Sequence, residues 1–457
     1  MNNQFQYIDS KYQEEKNRNY LSVYNYLSVI IIVVLVTQFV YHGYGINKVK
    51  DFQNNTIDDY TLQKKVQKLH EHVWTYFFHP DVNLIYDYIA PLDDKNRWEF
   101  LPTRNEILNG IPNLAGWGTG MEDCALNGGA YLAGMVYRFE VTRKEEHAEE
   151  ARRIYKGLQL LGTVSSQKGF VPRGVLPDGR SFYPNSSVDQ YTFYLFGLWT
   201  YYHSNIPTED ERKQISSIVG NICERIKKDN FNILSSDNKR AKYCNIGRIS
   251  VDRSSRLLAT FRIGFDLTKE KRWMKIYTRM LKTNNYSRLQ DVNSYSNINK
   301  LTTYSILQNQ ASLFPLVQLE KNFPIKANYK NAMNLHAKIA KSSRLMAYQN
   351  YRPDIHTDEY DLGLWRVGKE PRPKNFQEEH LYVREPSEAL LIMLFANNNY
   401  LLDYEIKEEK DLEVLRNICR KLISTYEYKK MRRYGLIYTE IAYWLADKQK
   451  LLKYKQE

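Results

Sequence analysis

The chain has 457 residues, 43% hydrophobic and 26% charged, enough apolar material for one large domain or two ordinary ones, which excludes a disordered chain. Its net charge of +13 is scattered among acidic residues and forms no basic arm, so it favours anionic partners in general and excludes a nucleic-acid signature; no zinc-finger, RNA-recognition or phosphate-loop spacing occurs. The four cysteines, Cys124, Cys223, Cys244 and Cys419, form no CxxC pair, which excludes a structural zinc site and a disulfide framework and leaves only a single Cys223–Cys244 bridge open.

Residues 1–19 form a polar tail. From Asn19 to Asn47 there is no Lys, Arg, Asp or Glu, and the run LSVIIIVVLVTQFVY is almost wholly apolar. A bilayer takes roughly 20 such residues to cross. Tyr20, Tyr24 and Tyr26 before the run and Phe39, Tyr41 and Tyr44 after it resemble interfacial aromatic belts. We expect a transmembrane signal anchor over 20–44 and a linker over 45–58. The alternative is a cleaved signal peptide, against which stands the lack of a small-x-small site at the exit, YHGYG. Lys11, Lys16 and Arg18 precede the run against Lys48 and Lys50 after it, which leans towards an exported body, in a periplasm, a lumen or outside the cell.

Beyond the linker, amphipathic spacing dominates and no strand alternation competes with it: Leu62, Val66, Leu69, Val73 and Phe77 already follow helical steps. The spacing predicts helices near 59–79, 122–140, 144–162, 189–204, 208–229, 251–267, 269–284, 303–319, 325–343, 384–399, 409–424 and 433–447. Connections after the second, fourth, sixth and eighth are short (EVTRK, HSNIPT, DLTKE, EKNFP), whereas those leading into the even-numbered helices are long. Long loops inside a compact domain are usually functional, and a hairpin array would gather these on one rim. The even-numbered helices are also the less charged, as QYTFYLFGLWTYY and EALLIMLFA show, and belong inside; KEEHAEEARRIYKGLQLL is an amphipathic, charged outer helix. The expected fold class is therefore all-α, a closed ring of six helical hairpins, an (α/α)6 toroid, over 59–450. An open helical solenoid or two bundles are the alternatives.

The second helix follows a glycine-loosened loop in GWGTGMEDCALNGGAYLAG, and the fourth opens in NSSVDQYTFYLFGLWTYY. Over roughly residues 58–450, these two segments resemble those of the six-hairpin (α/α)6 glycosidases, notably the unsaturated glucuronyl hydrolases and their relatives. The resemblance implies a catalytic aspartate at the start of an inner helix, a position matched by Asp189. The family's second aspartate lies in a His-Asp-Leu-Gly loop, where this chain has GFVPRG with Arg173 instead.

Asp189 and Asp123 are the expected catalytic pair, since glycoside hydrolysis needs one carboxyl to give a proton and another to act as base or nucleophile. The plainer alternative for each is helix capping. Expected substrate-binding residues are Glu122 and Gln190 beside them, Trp117 and Trp365 as stacking platforms, Arg173 and Arg180 as clamps for a carboxylate or sulfate, Asp252 at the sixth helix, and His380 and Arg384 at the tenth. HTDEYD, with no second histidine nearby, does not make a metal set, so no metal and no cofactor is expected. The expected function is a membrane-anchored, carbohydrate-active hydrolase acting on an acidic, uronic or sulfated, poly- or oligosaccharide. Alternatives are a polysaccharide lyase or uronyl epimerase, or a non-catalytic glycan-binding or structural toroid of a membrane assembly.

Overall fold

Local signals in the chain start and stop its helices. The computed structural model describes residues 57–87, 101–239, 244–356, 374–397, 409–433 and 435–452, all of them in the compact unit Ile57–Glu457. The expected anchor over 20–44, the tail and most of the linker lie outside the described residues, and among these no helix is long and apolar enough to cross a membrane. Helix α1 (Asp59–Tyr76) begins where the Asp58 carboxylate accepts the Thr61 N–H at 2.9 Å. A two-residue hairpin, β1 (Phe78–His79) with β2 (Leu84–Ile85), and the short α2 (Arg104–Leu108) follow. Two-residue strands are too short to show as alternation, so the sequence did not reveal them.

The next helices are α3 (Cys124–Thr142), α4 (Glu145–Thr163), α5 (Val188–Tyr202) and α6 (Glu209–Lys228). Helix α6 carries a capping box between Thr208 and Glu211, acids in its first turn and Arg225, Lys227 and Lys228 in its last, which together suit the helix dipole. Then come α7 (Ser254–Thr268) and α8 (Lys271–Val292). Helix α8 is broken at Thr283–Tyr286, where Asn284, Asn285 and Tyr286 all take left-handed conformations, so its first part ends where the spacing predicts. The short α9 (Tyr295–Ile298), then α10 (Thr303–Leu319), α11 (Phe323–Ser343) and the short α12 (Lys374–Glu379) lead to a wide turn at His380–Arg384. Last are α13 (Glu385–Ala396), α14 (Glu409–Thr425) and α15 (Leu436–Lys448). The fold class is all-α: the described residues are mostly helical, with only the small hairpin and an isolated Asn232–Asn245 bridge besides.

Six helices are buried along nearly their whole length: α3, α5, α7, α10, α13 and α15. They touch in a closed circuit, α3 on α5, α5 on α7, α7 on α10, α10 on α13, α13 on α15, and α15 back on α3. The others, α4, α6, α8, α11 and α14, each contact one or more of these six, and α1 contacts α15 and α14. The tightest approach is between α3 and α5. A Cβ added at Gly129 would lie 2.2 Å from the Phe193 carbonyl oxygen, and one at Gly197 would lie 2.2 Å from that of Gly129, so two glycines let the two backbones touch. The cysteines are all buried and none is joined in a disulfide, so the Cys223–Cys244 bridge left open by the sequence is not formed. Cys223 instead packs against Gly264 of α7.

Candidate functional site

The first turns of the six central helices are linked to one another, which places them on one rim. Asp123, just before α3, accepts from the Gln190 amide of α5 at 2.6 Å. Asp189, beside Gln190, accepts from Arg256 of α7 at 2.6 Å, and Arg256 reaches the Ser305 main-chain oxygen of α10 at 3.3 Å. The Arg384 guanidinium, at the entry to α13, lies 5.8 Å from the ring centre of Tyr304 in α10 and 5.9 Å from that of Tyr438 in α15. Helix α15, which carries Tyr438 in its first turn, packs against α3 and closes the circuit.

The loop ahead of α3 turns where Gly116, Gly118 and Gly120 take positive φ, and it carries Trp117. It delivers Glu122 and Asp123 beside Asp87, and one carboxylate oxygen from each of the three lies within 4.8 Å of the other two. Asp87 is fully buried and accepts the Asp123 N–H at 2.7 Å and the Asn127 amide at 2.5 Å. Burial, with the charges of Asp123 and Glu122 adding to it, pushes the Asp87 carboxyl well above the usual carboxylate range. Glu122 accepts the Gly118 N–H at 2.7 Å, and burial followed by the Asp123 charge raises its carboxyl too. The trio is the one set of metal-ligand type among the described residues, with the hard oxygen chemistry that suits a divalent cation. The Arg173 guanidinium already lies against it, 3.1 Å from Asp123.

Helix capping is the plainer expectation for Asp123, and Asp123 does not act as a cap. Its side chain makes no capping bond, turning instead to Arg173 and Gln190, and remains 22% exposed. Asp189 makes no capping bond either; it pairs with Arg256, while Arg253 approaches to 3.8 Å, and its side chain is 28% exposed. Asp252 likewise leaves the α7 terminus uncapped and accepts from Ser250 at 2.7 Å and Arg248 at 3.3 Å. Although burial opposes it, the Ser250 bond and the nearby Arg253, Arg256 and Arg248 charges hold the Asp252 carboxyl below its ordinary value.

Of the other expected residues, Gln190 and Arg173 are buried in the rim, and Trp117 lies with its ring centre 6.0 Å from the Arg173 guanidinium. Arg180 is exposed on a turn built around Asp178, apart from the cluster. His380 lies 3.5 Å from Glu385; burial pushes its imidazole down to about 4 although Glu385 opposes this. Arg384 pairs with Glu388 at 2.7 Å. Trp365 lies outside the described residues.

Sequence reasoning passed over Arg256, Arg253, Glu388 and Tyr438, and it assigned Asp87 no role. A signal existed for the two arginines, because the spacing in VDRSSR puts both on one side of the first turn of α7. Asp87 stands 36 residues before Asp123, and only the tertiary fold joins them. Tyr438 is one of 37 tyrosines and had no distinguishing mark. The chain matches no protein-family model and no curated protein.

Proposed function

We propose that the protein is a carbohydrate-active enzyme of the (α/α)6 toroid class, a glycoside hydrolase acting on an anionic glycan and held to a membrane by its N-terminal segment with the body exported. The carrying observation is the carboxyl trio at the start of α3. Two members are buried with carboxyls raised, while Asp123 is open to solvent beside them. Neighbouring carboxyls driven into different protonation states divide acid from base work. In this reading Glu122 keeps a proton for the leaving oxygen and Asp123 acts as base or nucleophile. Asp189, tied to Arg256, orients the sugar from the next helix, and Arg173 and Arg253 supply the charge for a carboxylate or sulfate. The closed circuit of buried helices supports the toroid.

The test is digestion of a library of uronate- and sulfate-bearing oligosaccharides by the full-length protein. Hydrolysis predicts new reducing ends without the ultraviolet absorbance of an unsaturated uronate. Asp123→Asn and Glu122→Gln should each lower turnover by about 100-fold or more. Full turnover in both variants would remove the hydrolase reading.

One observation favours elimination as a second reading. His380, driven towards its neutral form, shares the rim with Tyr304 and Tyr438, which flank Arg384. A neutral imidazole near an arginine is equipped to take a proton next to a bound carboxylate. Unsaturated products in the same digestion would select it, and binding without turnover would select a non-catalytic glycan-binding toroid.

A further inference from the structure

A pocket of about 840 Å³ opens between α1, the end of α3, the start of α4 and the last turns of α15. Helix α3 runs from Asp123 on the rim to Thr142 at this pocket, so the two places lie at opposite ends of the same helix. The volume is within the range of small-molecule sites.

The wall carries Lys64, Arg138 and Lys144 against Glu146, Glu150 and Asp447, a neutral balance. Most of that charge is already paired. Arg138 donates to Glu150 at 2.7 Å, Lys144 approaches Glu146 to 3.3 Å, and the Lys64 ammonium sits 4.2 Å from the Tyr60 ring centre. At the floor, His70 lies between Glu150 at 3.0 Å and Glu440 at 2.8 Å. An ion entering the pocket would have to break these pairs to find a partner. An uncharged, hydroxyl-rich ligand can instead use their outer lone pairs and N–H groups as they stand, because the pairs fix the side chains beforehand.

Three aromatic side chains, Tyr60, Tyr443 and Trp444, line it beside neutral residues such as Gln63, Gln67 and Thr142. Tyr60 is 65% exposed at the edge, and Tyr443 and Trp444 form one wall with ring centres 4.8 Å apart. The Arg138 guanidinium lies 5.5 Å from the Trp444 ring centre, so the indole is held against the paired floor. Aromatic faces beside fixed polar side chains match a pyranose, with its C–H faces and equatorial hydroxyls. We infer that this pocket binds a neutral saccharide, at a site separate from the rim and independent of what the rim does.

The experiment follows tryptophan fluorescence of the full-length protein. The probes are a panel of neutral tetrasaccharides built from glucose, mannose, xylose and N-acetylglucosamine, then a sulfated heparin tetrasaccharide, then choline. At least one neutral probe should give a saturable change. Trp444→Phe should remove the signal, and Tyr60→Ala, at an exposed position that leaves the core intact, should weaken binding about tenfold or more. Asp123→Asn should leave it unchanged. The inference fails if no neutral probe binds or if only the sulfated or cationic probe does. It fails equally if the neutral signal survives Tyr60→Ala at full strength or disappears with Asp123→Asn, which would place binding on the rim.

Discussion

Arg173 holds Asp123 in place: its Nη1 donates to the Asp123 carboxylate at 3.1 Å and to the Glu122 main-chain oxygen at 2.8 Å. The guanidinium is buried, while the carboxylate it grips is open to solvent. Arg173 thus brings a counter-charge to the carboxyl trio.

Replacing Arg173 with Met should therefore leave Asp123 beside Asp87 and Glu122 with no cation against it. Removing one partner of a fully buried pair costs about 3 kcal/mol or more, and the exposed side of Asp123 reduces this to about 1–2 kcal/mol. Urea unfolding of Arg173→Met should show a loss of that order, and Arg173→Lys should recover part of it, because lysine restores the charge but not the planar fork. An unchanged midpoint in Arg173→Met would mean that the trio does not need the cation.

For Asp189→Asn, the capping alternative predicts a loss of about 1 kcal/mol or less. The structure predicts more. Arg256 has a side chain only 1% exposed and bonds Asp189 at 2.6 Å, so the substitution strands a buried guanidinium and should cost about 3 kcal/mol. A double-mutant cycle with Arg256→Met should give a coupling above about 1 kcal/mol, which a cap would not produce. Activity of the variant is to be read well below its own melting temperature, since a loss of turnover on its own would mix catalysis with stability.

Gly129→Ala tests the contact between α3 and α5. The new methyl would sit 2.2 Å from the Phe193 carbonyl oxygen, and backbone cannot swing aside as a side chain can. Overpacking costs about 1–3 kcal/mol where side chains can yield, so a clash with main chain should reach or exceed the top of that range. Thermal unfolding measures it. Gly179→Ala, with open space around its Cβ but a φ of +69°, should show only backbone strain of about 1 kcal/mol.

Glu388 governs a pH dependence. Burial pushes its carboxyl up to about 7, against the pull of the Arg384 guanidinium at 2.7 Å, while in the unfolded chain it returns to about 4.5. Between those values the folded protein keeps a proton that the unfolded chain has released. The resulting stability is fully present below about pH 4.5 and is lost as pH rises through 7, a swing of about 3 kcal/mol. Glu388→Gln cannot ionise, so the difference in unfolding free energy between the wild type and this variant should change across that window. A difference constant from pH 4.5 to 7.5 would show that Glu388 titrates normally.

Much of the helical order was legible because it is written locally. The expected helix at 303–319 coincides with α10, and the expected break near 284 falls in the left-handed run Asn284–Tyr286. The alternation of long and short connections also picked out the six buried helices. Local signals failed where a residue's partner is distant in the chain. Asp123 and Asp252 stand at helix starts, where sequence alone reads a cap, and neither caps; Asp189 does stand in the first turn of α5 as an acid, but it also pairs with Arg256, 67 residues away.

The sequence by itself determined an all-α body, the helices that would be buried and the end at which the acidic residues would gather. Period, capping and loop length act over a few residues, and so they can be read along the chain. Tertiary structure decided which charges meet: Asp87 with Glu122 and Asp123, Arg173 on Asp123, Arg256 on Asp189. The physical reason is that a carboxyl's protonation state and role depend on burial and on charges a few ångströms away. Those neighbours stand 36 to 67 residues apart in the chain and are brought together only when the ring of contacts closes.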